Sequence, residues 1–101
     1  MKKTFALTHA KLQQARLVDA IKHEIKKYLA RERRKALPEG KDYWAFDCRF
    51  GETEQQAVKV FNSDINKKID AAVEQQWPAF YVEILARSCT HLPRPDVDFE
   101  D

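Results

Sequence analysis

The sequence predicts an α+β fold in which a four-stranded sheet carries two helices on one face. Six patterned segments support it, in the order strand, helix, strand, strand, helix, strand. That order is the split βαβ arrangement of ferredoxin-like folds, written βαββαβ. Right-handed crossovers leave few other arrangements of such elements. We therefore expect a ferredoxin-like domain, whose first and third strands form the centre of the sheet.

The first two elements are a short strand and a long basic helix. Residues Thr4–Thr8 alternate between apolar and polar side chains, which predicts a strand. Residues 16–37 form the longest helical pattern, and at about 100° per residue their apolar side chains share one arc of about 120°. These side chains are Leu17, Val18, Ile21, Ile25, Tyr28 and Leu29. The helix should end near Ala36, because Pro38 disfavours helix at the residue before it.

The middle of the chain has the most regular alternation. Residues Tyr43–Phe50 predict a half-buried strand, because every second side chain is apolar. The apolar face holds Trp44, Phe46, Cys48 and Phe50. A polar turn at Gly51–Glu54 then leads into a partner strand within residues 55–61, with Val58 and Val60 facing inward.

The second half ends with a helix, a strand and a tail. Helical spacing of apolar residues predicts a helix from about Asp64 to Gln76, and alternation predicts a strand over Ala79–Ala86. Residues 1–87 are thus expected to form one globular domain. Residues 88–101 contain two prolines and four acids without a period, so we expect a flexible acidic tail. The inward faces assign eight side chains to the core: Phe5, Ile21, Ile25, Trp44, Phe46, Ile69, Val82 and Ile84.

Charge is divided unevenly along the chain. Residues 1–41 hold twelve Lys or Arg against four acids, net +8, whereas residues 42–101 hold six against twelve, net −6. Such asymmetry favours an anionic partner for the first half or pairing between the halves. There is no apolar run of about 18 residues, which excludes a membrane span, and two distant cysteines favour a cytoplasmic protein.

Five segments also carry a family resemblance: MKKTFALTH, RLVDAIKHEIKKY, RERRKALPEG, WAFDCRFG and FYVEILA. Together they resemble a family of small bacterial proteins described only as a domain of unknown function. The resemblance covers about residues 1–86 and implies a free-standing bacterial protein. It implies no activity, ligand or site residue.

The chain does not present a catalytic or metal site. Cys89 and His91 bring a thiol and an imidazole close in sequence, but no second ligand pair at zinc spacing accompanies them. Asp47 and Glu83 share the outer sheet face, yet in ferredoxin-like order their strands lie at or near opposite edges, with Arg49 and Lys59 as expected partners. Because no nucleophile, base and orienting group can be assembled, we predict neither an enzyme nor a cofactor.

Two binding hypotheses from different classes remain. The first is non-specific contact with RNA or another polyanion through the cations of the long helix: Lys22, Lys26, Lys27, Arg31, Arg33, Arg34 and Lys35. The simpler reading is that these residues only favour helix and solubility. The alternative hypothesis is protein interaction or homodimerisation through an open sheet face carrying Tyr43, Phe61, Tyr81 and Leu85.

Overall fold

The computed structural model describes residues 1–90. Of the predicted tail, residues 88–101, the first two residues belong to the last strand and residues 91–101 lie outside the described part. Its elements are β1 (Lys2–Ala6), α1 (Gln14–Arg33), β2 (Tyr43–Gly51), β3 (Val58–Val60), a 3₁₀ turn (Asn62–Asp64), α2 (Ile65–Glu74) and β4 (Ala79–Cys89). All six predicted elements are present in the predicted order. The main differences are that α1 ends before Ala36 and that β4 continues beyond Ala86.

The four strands form one antiparallel sheet with the order β1-β4-β2-β3. The α+β class and the four-stranded sheet are confirmed. Two split βαβ units are present, because β4 lies between β1 and β2 while β2 lies between β3 and β4. The expectation that the first and third strands are central is wrong, since the order is not that of a ferredoxin-like sheet: β4 and β2 occupy the centre.

Strand composition explains which strands are central. In β4, Phe80 to Ile84 are buried without interruption, as suits a strand covered on both faces. In β1 only Phe5 is buried, and the strand begins with Lys2 and Lys3, which suits an edge. β3 is only three residues long and contacts Cys48–Phe50 of β2 at the other edge.

Both helices pack on the same face of the sheet, as predicted, because their buried side chains join one cluster with the inward strand residues. From α1 the cluster takes Val18, Ile21, Ile25 and Leu29; from α2 it takes Ile65, Ile69 and Ala72. The salt bridge between Lys22 Nζ and Asp70 Oδ1, 2.6 Å long, joins the two helices at their middle. The helices run antiparallel, so the C-terminal half of α1 lies beside the start of α2.

Six of the eight predicted core side chains are buried, and the other two lie at the margin. Phe46 is half-buried and packs against the cluster. Trp44 is also half-buried, but its indole Nε1–H donates to the backbone oxygen of Lys35, 2.9 Å away. The expectation that Trp44 belongs to the core is therefore wrong. Val58 was expected to face inward, but it lies on an edge strand and is 63% exposed.

Two backbone features stand out, one at the end of α2 and one at the end of β2. Gln76 has a φ of 62°, while the N–H groups of Gln76 and Trp77 donate to the oxygens of Val73 and Ala72. This is the Schellman motif that ends many helices. The second feature is the close approach of Gly51 to the loop between β2 and β3. A Cβ atom added at Gly51 would lie 2.6 Å from Ala57 Cα.

Candidate nucleic-acid interface

The predicted cations lie on three faces of helix α1: the two flanks of its buried apolar stripe and the face that points away from the sheet. At about 100° per residue, Lys22, Lys26 and Arg33 lie on the flank toward α2, while Lys27 and Arg34 point away from the sheet. Arg31 lies on the flank toward β1, and Lys35 follows the helix end. The structure therefore does not bring all seven predicted residues to a single site.

Four of these cations already have partners. Lys22 pairs with Asp70, and Lys35 Nζ lies 2.9 Å from Glu32 Oε2. The guanidinium carbons of Arg31 and Arg33 lie over aromatic rings, 5.7 Å from the centroid of Tyr28 and 5.2 Å from the centroid of Phe46. Exposed cation–π contacts of this kind contribute about 0.5–1 kcal/mol each. Of these contacts, the one between Arg33 and Phe46 joins the end of α1 to β2, whereas the one between Arg31 and Tyr28 lies within the helix.

Three cations remain without such contacts. In the described part of the chain, the exposed side chains of Lys26, Lys27 and Arg34 form no salt bridge or side-chain hydrogen bond. Their charge is therefore available to a ligand at little cost in stability.

Four cations near the end of α1 surround one small residue. Lys26 and Lys27 precede Ala30 by four and three residues, and Arg33 and Arg34 follow it by three and four. Residues at these spacings are neighbours on a helix surface. Ala30 therefore occupies the centre of a patch with four positive charges at its corners. We call Lys26, Lys27, Ala30, Arg33 and Arg34 the Ala30 surface.

A groove borders the Ala30 surface on the side of α2. It has a volume of about 280 Å³, and its floor is formed by Ile25, Leu29 and Ile65. Its polar lining comes from both helices and from the 3₁₀ turn: Lys22, His23, Lys26, Arg33, Asn62, Ser63 and Asn66. Neither the 3₁₀ turn nor α2 has a side-chain cap. The start of α2 adds the partial positive charge of a helix N-terminus to that of the cations.

The basic residues also have a purely structural role. Arg31 and Arg33 occupy the last turn of α1, where cations offset the partial negative charge of the helix C-terminus. Glu32 between them is buried at the same end. Burial, followed by the charge of Glu32, raises the pKa of Tyr28 above its ordinary value. This role accounts for the last turn but not for Lys26 and Lys27.

The two acids of the outer sheet face, Asp47 and Glu83, lie on adjacent strands, contrary to the expectation from ferredoxin-like order. β2 and β4 pair directly, with Arg49 opposite Glu83. Arg49 Nη1 lies 3.4 Å from Glu83 Oε1, and the Tyr81 hydroxyl donates to the same oxygen at 2.9 Å. Asp47 instead pairs with Arg87.

The loop between β2 and β3 covers the pair formed by Arg49 and Glu83. Arg49 Nη2 donates to the backbone oxygens of Ala57, at 3.0 Å, and Glu54, at 3.5 Å. Tyr81 and Glu83 are buried here, on the face of the sheet opposite the helices. Burial, then the hydrogen bond to Glu83, raises the pKa of Tyr81. The arrangement anchors the loop and leaves the Glu83 carboxylate buried, whereas the Asp47 side chain is half exposed.

The second pair lies nearer the end of β4. Arg87 Nε donates to Asp47 Oδ2 at 2.9 Å and Nη2 donates to Oδ1 at 3.2 Å, which is a two-pronged contact. The hydrogen bond from Arg87 holds the pKa of Asp47 below its ordinary value. Arg87 Nη1 also lies 2.9 Å from the Sγ of Cys89. The sequence pattern predicted Arg49 and Lys59 as partners of the two acids: Arg49 does pair with Glu83, whereas Asp47 pairs with Arg87, which the pattern missed.

The two thiols are buried. Burial raises the pKa of Cys48 to about 11, so the thiol stays protonated at neutral pH. Among residues 1–90, no group of three or more His, Cys, Asp or Glu side chains could hold a metal ion. His91, the neighbour of Cys89 considered from the sequence, lies outside the described residues. In the same part of the chain, no helix has the length and apolar composition needed to cross a bilayer.

The alternative interface does not form a continuous apolar row. Tyr81 is only 4% exposed, so the expectation that it lies on an open surface is wrong. Tyr43 and Leu85 are 40% and 42% exposed, but the Asp47–Arg87 pair lies between them. Phe61 is 73% exposed and follows β3 instead of belonging to it. The three exposed residues are therefore distributed over separate parts of the surface, and Tyr81 is buried beneath it.

Sequence reasoning also missed the contribution of α2 to the groove. Asn62 and Ser63 are residue types that commonly cap a helix and they stand just before α2, yet neither caps the helix through its side chain. Their polar groups and Asn66 instead line the groove. Two features could have indicated this contribution: the polar start of the second helix and the antiparallel packing expected for two helices on one sheet.

Comparison with known proteins places the chain in a family. The family model described as "Family of unknown function (DUF6172)" matches residues 1–94, past the end of the resemblance seen in the segments above. No curated protein and no solved structure matches the chain significantly. Since the match spans most of its length, the chain belongs to this family of unknown function.

Proposed function

We propose that the protein binds nucleic acid, RNA foremost, through phosphate contacts made by the Ala30 surface. One observation carries the proposal: four cations surround a small residue, and three of them hold no partner among residues 1–90. A phosphate can approach the helix over the methyl group of Ala30 and meet several cations at once. Dense phosphate charge is the ligand that gains most from such a cluster.

The neighbouring groove supports the same ligand chemistry. Ser63, Asn62 and Asn66 offer hydroxyl and amide groups beside Lys26 and Arg33, at the positive end of α2. Contacts to phosphate fix the position of a nucleic acid but carry no sequence information. Binding is therefore expected to be weak, salt-dependent and nearly independent of sequence.

The first experiment is a titration of labelled mixed-sequence RNA and duplex DNA, followed by fluorescence anisotropy at several salt concentrations. If about four phosphates are neutralised, log affinity should fall with log salt at a slope of about −3 to −4. A protein preparation before any salt wash should also carry absorbance at 260 nm from bound nucleic acid.

A matched pair of variants then locates the site. The triple change Lys26→Gln, Lys27→Gln and Arg34→Gln removes the three unpaired cations and should reduce the salt slope by about two to three units. It should change stability by no more than about 0.5 kcal/mol, since exposed side chains without partners are replaced. The control triple removes the same charge from the strands, at Lys2 and Lys59, and from the loop before α1, at Lys11.

The control should keep most of the slope. Equal losses in the two triple variants would show that net charge alone, and not the Ala30 surface, attracts the ligand. Absence of binding at about 100 μM protein in about 50 mM salt, the weak limit for non-specific binders, would contradict the proposal itself.

A second candidate function is self-association or binding of another protein through exposed apolar side chains. It is favoured by Phe61 and Val58, which are the most exposed large apolar residues at the β3 edge. Lys59 between them opposes pairing of two such edges, since like charges would meet. Sedimentation at increasing concentration tests this candidate, and a Phe61→Ser variant should abolish any dimer.

We also propose that the protein acts in the cytoplasm, and that its host is a bacterium, as the family resemblance implies. Cys48 and Cys89 are both free thiols, which suits a reducing compartment. Fractionation of cells that express the chain tests this location.

A further inference from the structure

We propose that the acidic segment 96–101 of this same chain occupies the Ala30 surface when no polyanion is bound, and so competes with nucleic acid. The inference rests on the proposed function and concerns the regulation of its site. Three observations support it: the charge of the segment, the place where the described residues end, and the distance that the segment can span.

Charge complementarity is the first observation. Residues 96–101 contain four acids, Asp96, Asp98, Glu100 and Asp101, and no cation. The Ala30 surface contains four cations and no acid. An extended acidic segment presents closely spaced negative charges, as a nucleic-acid backbone does, so the same cations can meet either ligand.

The second observation is where the described chain ends. The Thr90 hydroxyl donates to the Gly40 oxygen at 3.0 Å, and the Asp42 N–H donates to the Cys89 oxygen at 2.7 Å. Both partners belong to the loop that connects α1 to β2. At the start of β2, the indole N–H of Trp44 donates to the backbone oxygen of Lys35. The described residues therefore end beside the loop that follows the basic end of α1.

The third observation is reach. The acids lie six to eleven residues beyond Thr90, and an extended chain spans at most about 3.3–3.6 Å per residue. Distances up to about 20 Å for Asp96 and about 36 Å for Asp101 are thus accessible. The Ala30 surface extends along α1 from Lys26 to Arg34, which is about 12 Å. The segment is long enough to cover it.

The strength of the competition can be bounded. A segment tethered by a short linker acts at a local concentration on the order of millimolar. Non-specific electrostatic contacts have dissociation constants up to about 10⁻⁴ M. Removing the segment's charge should therefore tighten RNA binding about three- to tenfold at low salt. The effect should vanish at high salt, because screening weakens both contacts.

The test uses the full chain and two variants that change net charge equally. The tail variant carries Asp96→Asn, Asp98→Asn and Glu100→Gln. The control variant carries Glu52→Gln, Glu54→Gln and Glu74→Gln, three acids remote from the Ala30 surface. Two quantities are measured: affinity for a labelled mixed-sequence RNA of about 20 nucleotides, long enough for one binding site, and amide chemical shifts of ¹⁵N-labelled protein without RNA.

The proposal predicts that only the tail variant gains the full increase in RNA affinity. It also predicts that amide signals of Lys26, Ala30 and Arg34 differ between wild type and the tail variant, and that high salt removes the difference. Equal affinity gains in the tail and control variants, together with coincident amide signals, would overturn it. If the shift differences appear but no form binds RNA, the intramolecular contact stands and the proposed function fails.

Discussion

The close approach of Gly51 to the loop predicts a large effect of one added methyl group. In Gly51→Ala the new Cβ would lie 2.6 Å from Ala57 Cα, 2.7 Å from Ala57 N and 2.8 Å from the Gln56 carbonyl carbon. All three atoms are backbone, so no side chain can rotate away. The loop itself must move by roughly 1 Å to restore ordinary van der Waals contact.

That movement disturbs contacts on both sides of Ala57. Its N–H donates to Glu54, its oxygen accepts from Arg49 at 3.0 Å, and Val58 pairs with Phe50 immediately after it. Overpacking costs about 1–3 kcal/mol, and each weakened hydrogen bond costs about 1 kcal/mol. We expect a loss of about 2–4 kcal/mol, which lowers the melting temperature by roughly 10–30 °C at about 4–8 °C per kcal/mol.

Thermal and urea unfolding measure the loss, and two further variants test its cause. Gly40→Ala adds a methyl group in open space at a φ of 83°, so it carries only backbone strain, about 1–2 kcal/mol. Ala57→Gly combined with Gly51→Ala should give no rescue, because the clash is with backbone. A Gly51→Ala protein that melts within about 4 °C of wild type, the shift that accompanies 1 kcal/mol, would refute the reasoning.

Three further predictions concern single buried or strained groups. Gln76→Gly should stabilise the domain by about 0.5–1 kcal/mol in urea unfolding, since glycine adopts the positive φ of the Schellman motif without strain; an unchanged midpoint would contradict this. Burial raises the pKa of Cys48 from 9.0 to about 11. The stability that the protonated thiol contributes is therefore complete below about pH 9 and is lost as pH rises toward 11. The free energy of unfolding should fall by roughly 2–3 kcal/mol at most over this range. A Cys48→Ala protein should lack that part of the alkaline loss. Tyr81→Phe removes the donor to buried Glu83 and should cost about 1–2 kcal/mol; equal stability would mean that this hydrogen bond contributes nothing.

Local patterns predicted the elements well because each rests on neighbouring residues. The apolar stripe from Val18 to Leu29 and the alternation around Cys48 depend only on the helix and strand periods. Strand order depends on which strands pair, and no local period encodes that choice. A usable signal did exist, since the apolar run Phe80–Ile84 suits a central strand and Lys2–Thr4 suits an edge.

The candidate site was predictable only in part for a similar reason. Helical geometry alone places Lys26, Lys27 and Arg34 on the outside of α1. It could not show that Arg33 lies over Phe46, because that contact depends on how the helix sits on β2. Nor could it show Tyr81 beneath a loop, because the loop approaches a face that alternation marks as outer.

The two tryptophans give the molecule separate optical reporters. Trp44 donates its indole N–H to Lys35 at the basic end of α1, whereas Trp77 stacks on Phe50 with ring centroids 6.3 Å apart. Trp44 and Phe50 are six residue steps apart along β2, which corresponds to about 20 Å. A polyanion at the end of α1 should therefore change the emission and the quencher access of Trp44 while those of Trp77 stay constant. Single-tryptophan proteins, Trp44→Phe and Trp77→Phe, would let intrinsic fluorescence report ligand binding at one end and core integrity at the other without any added label.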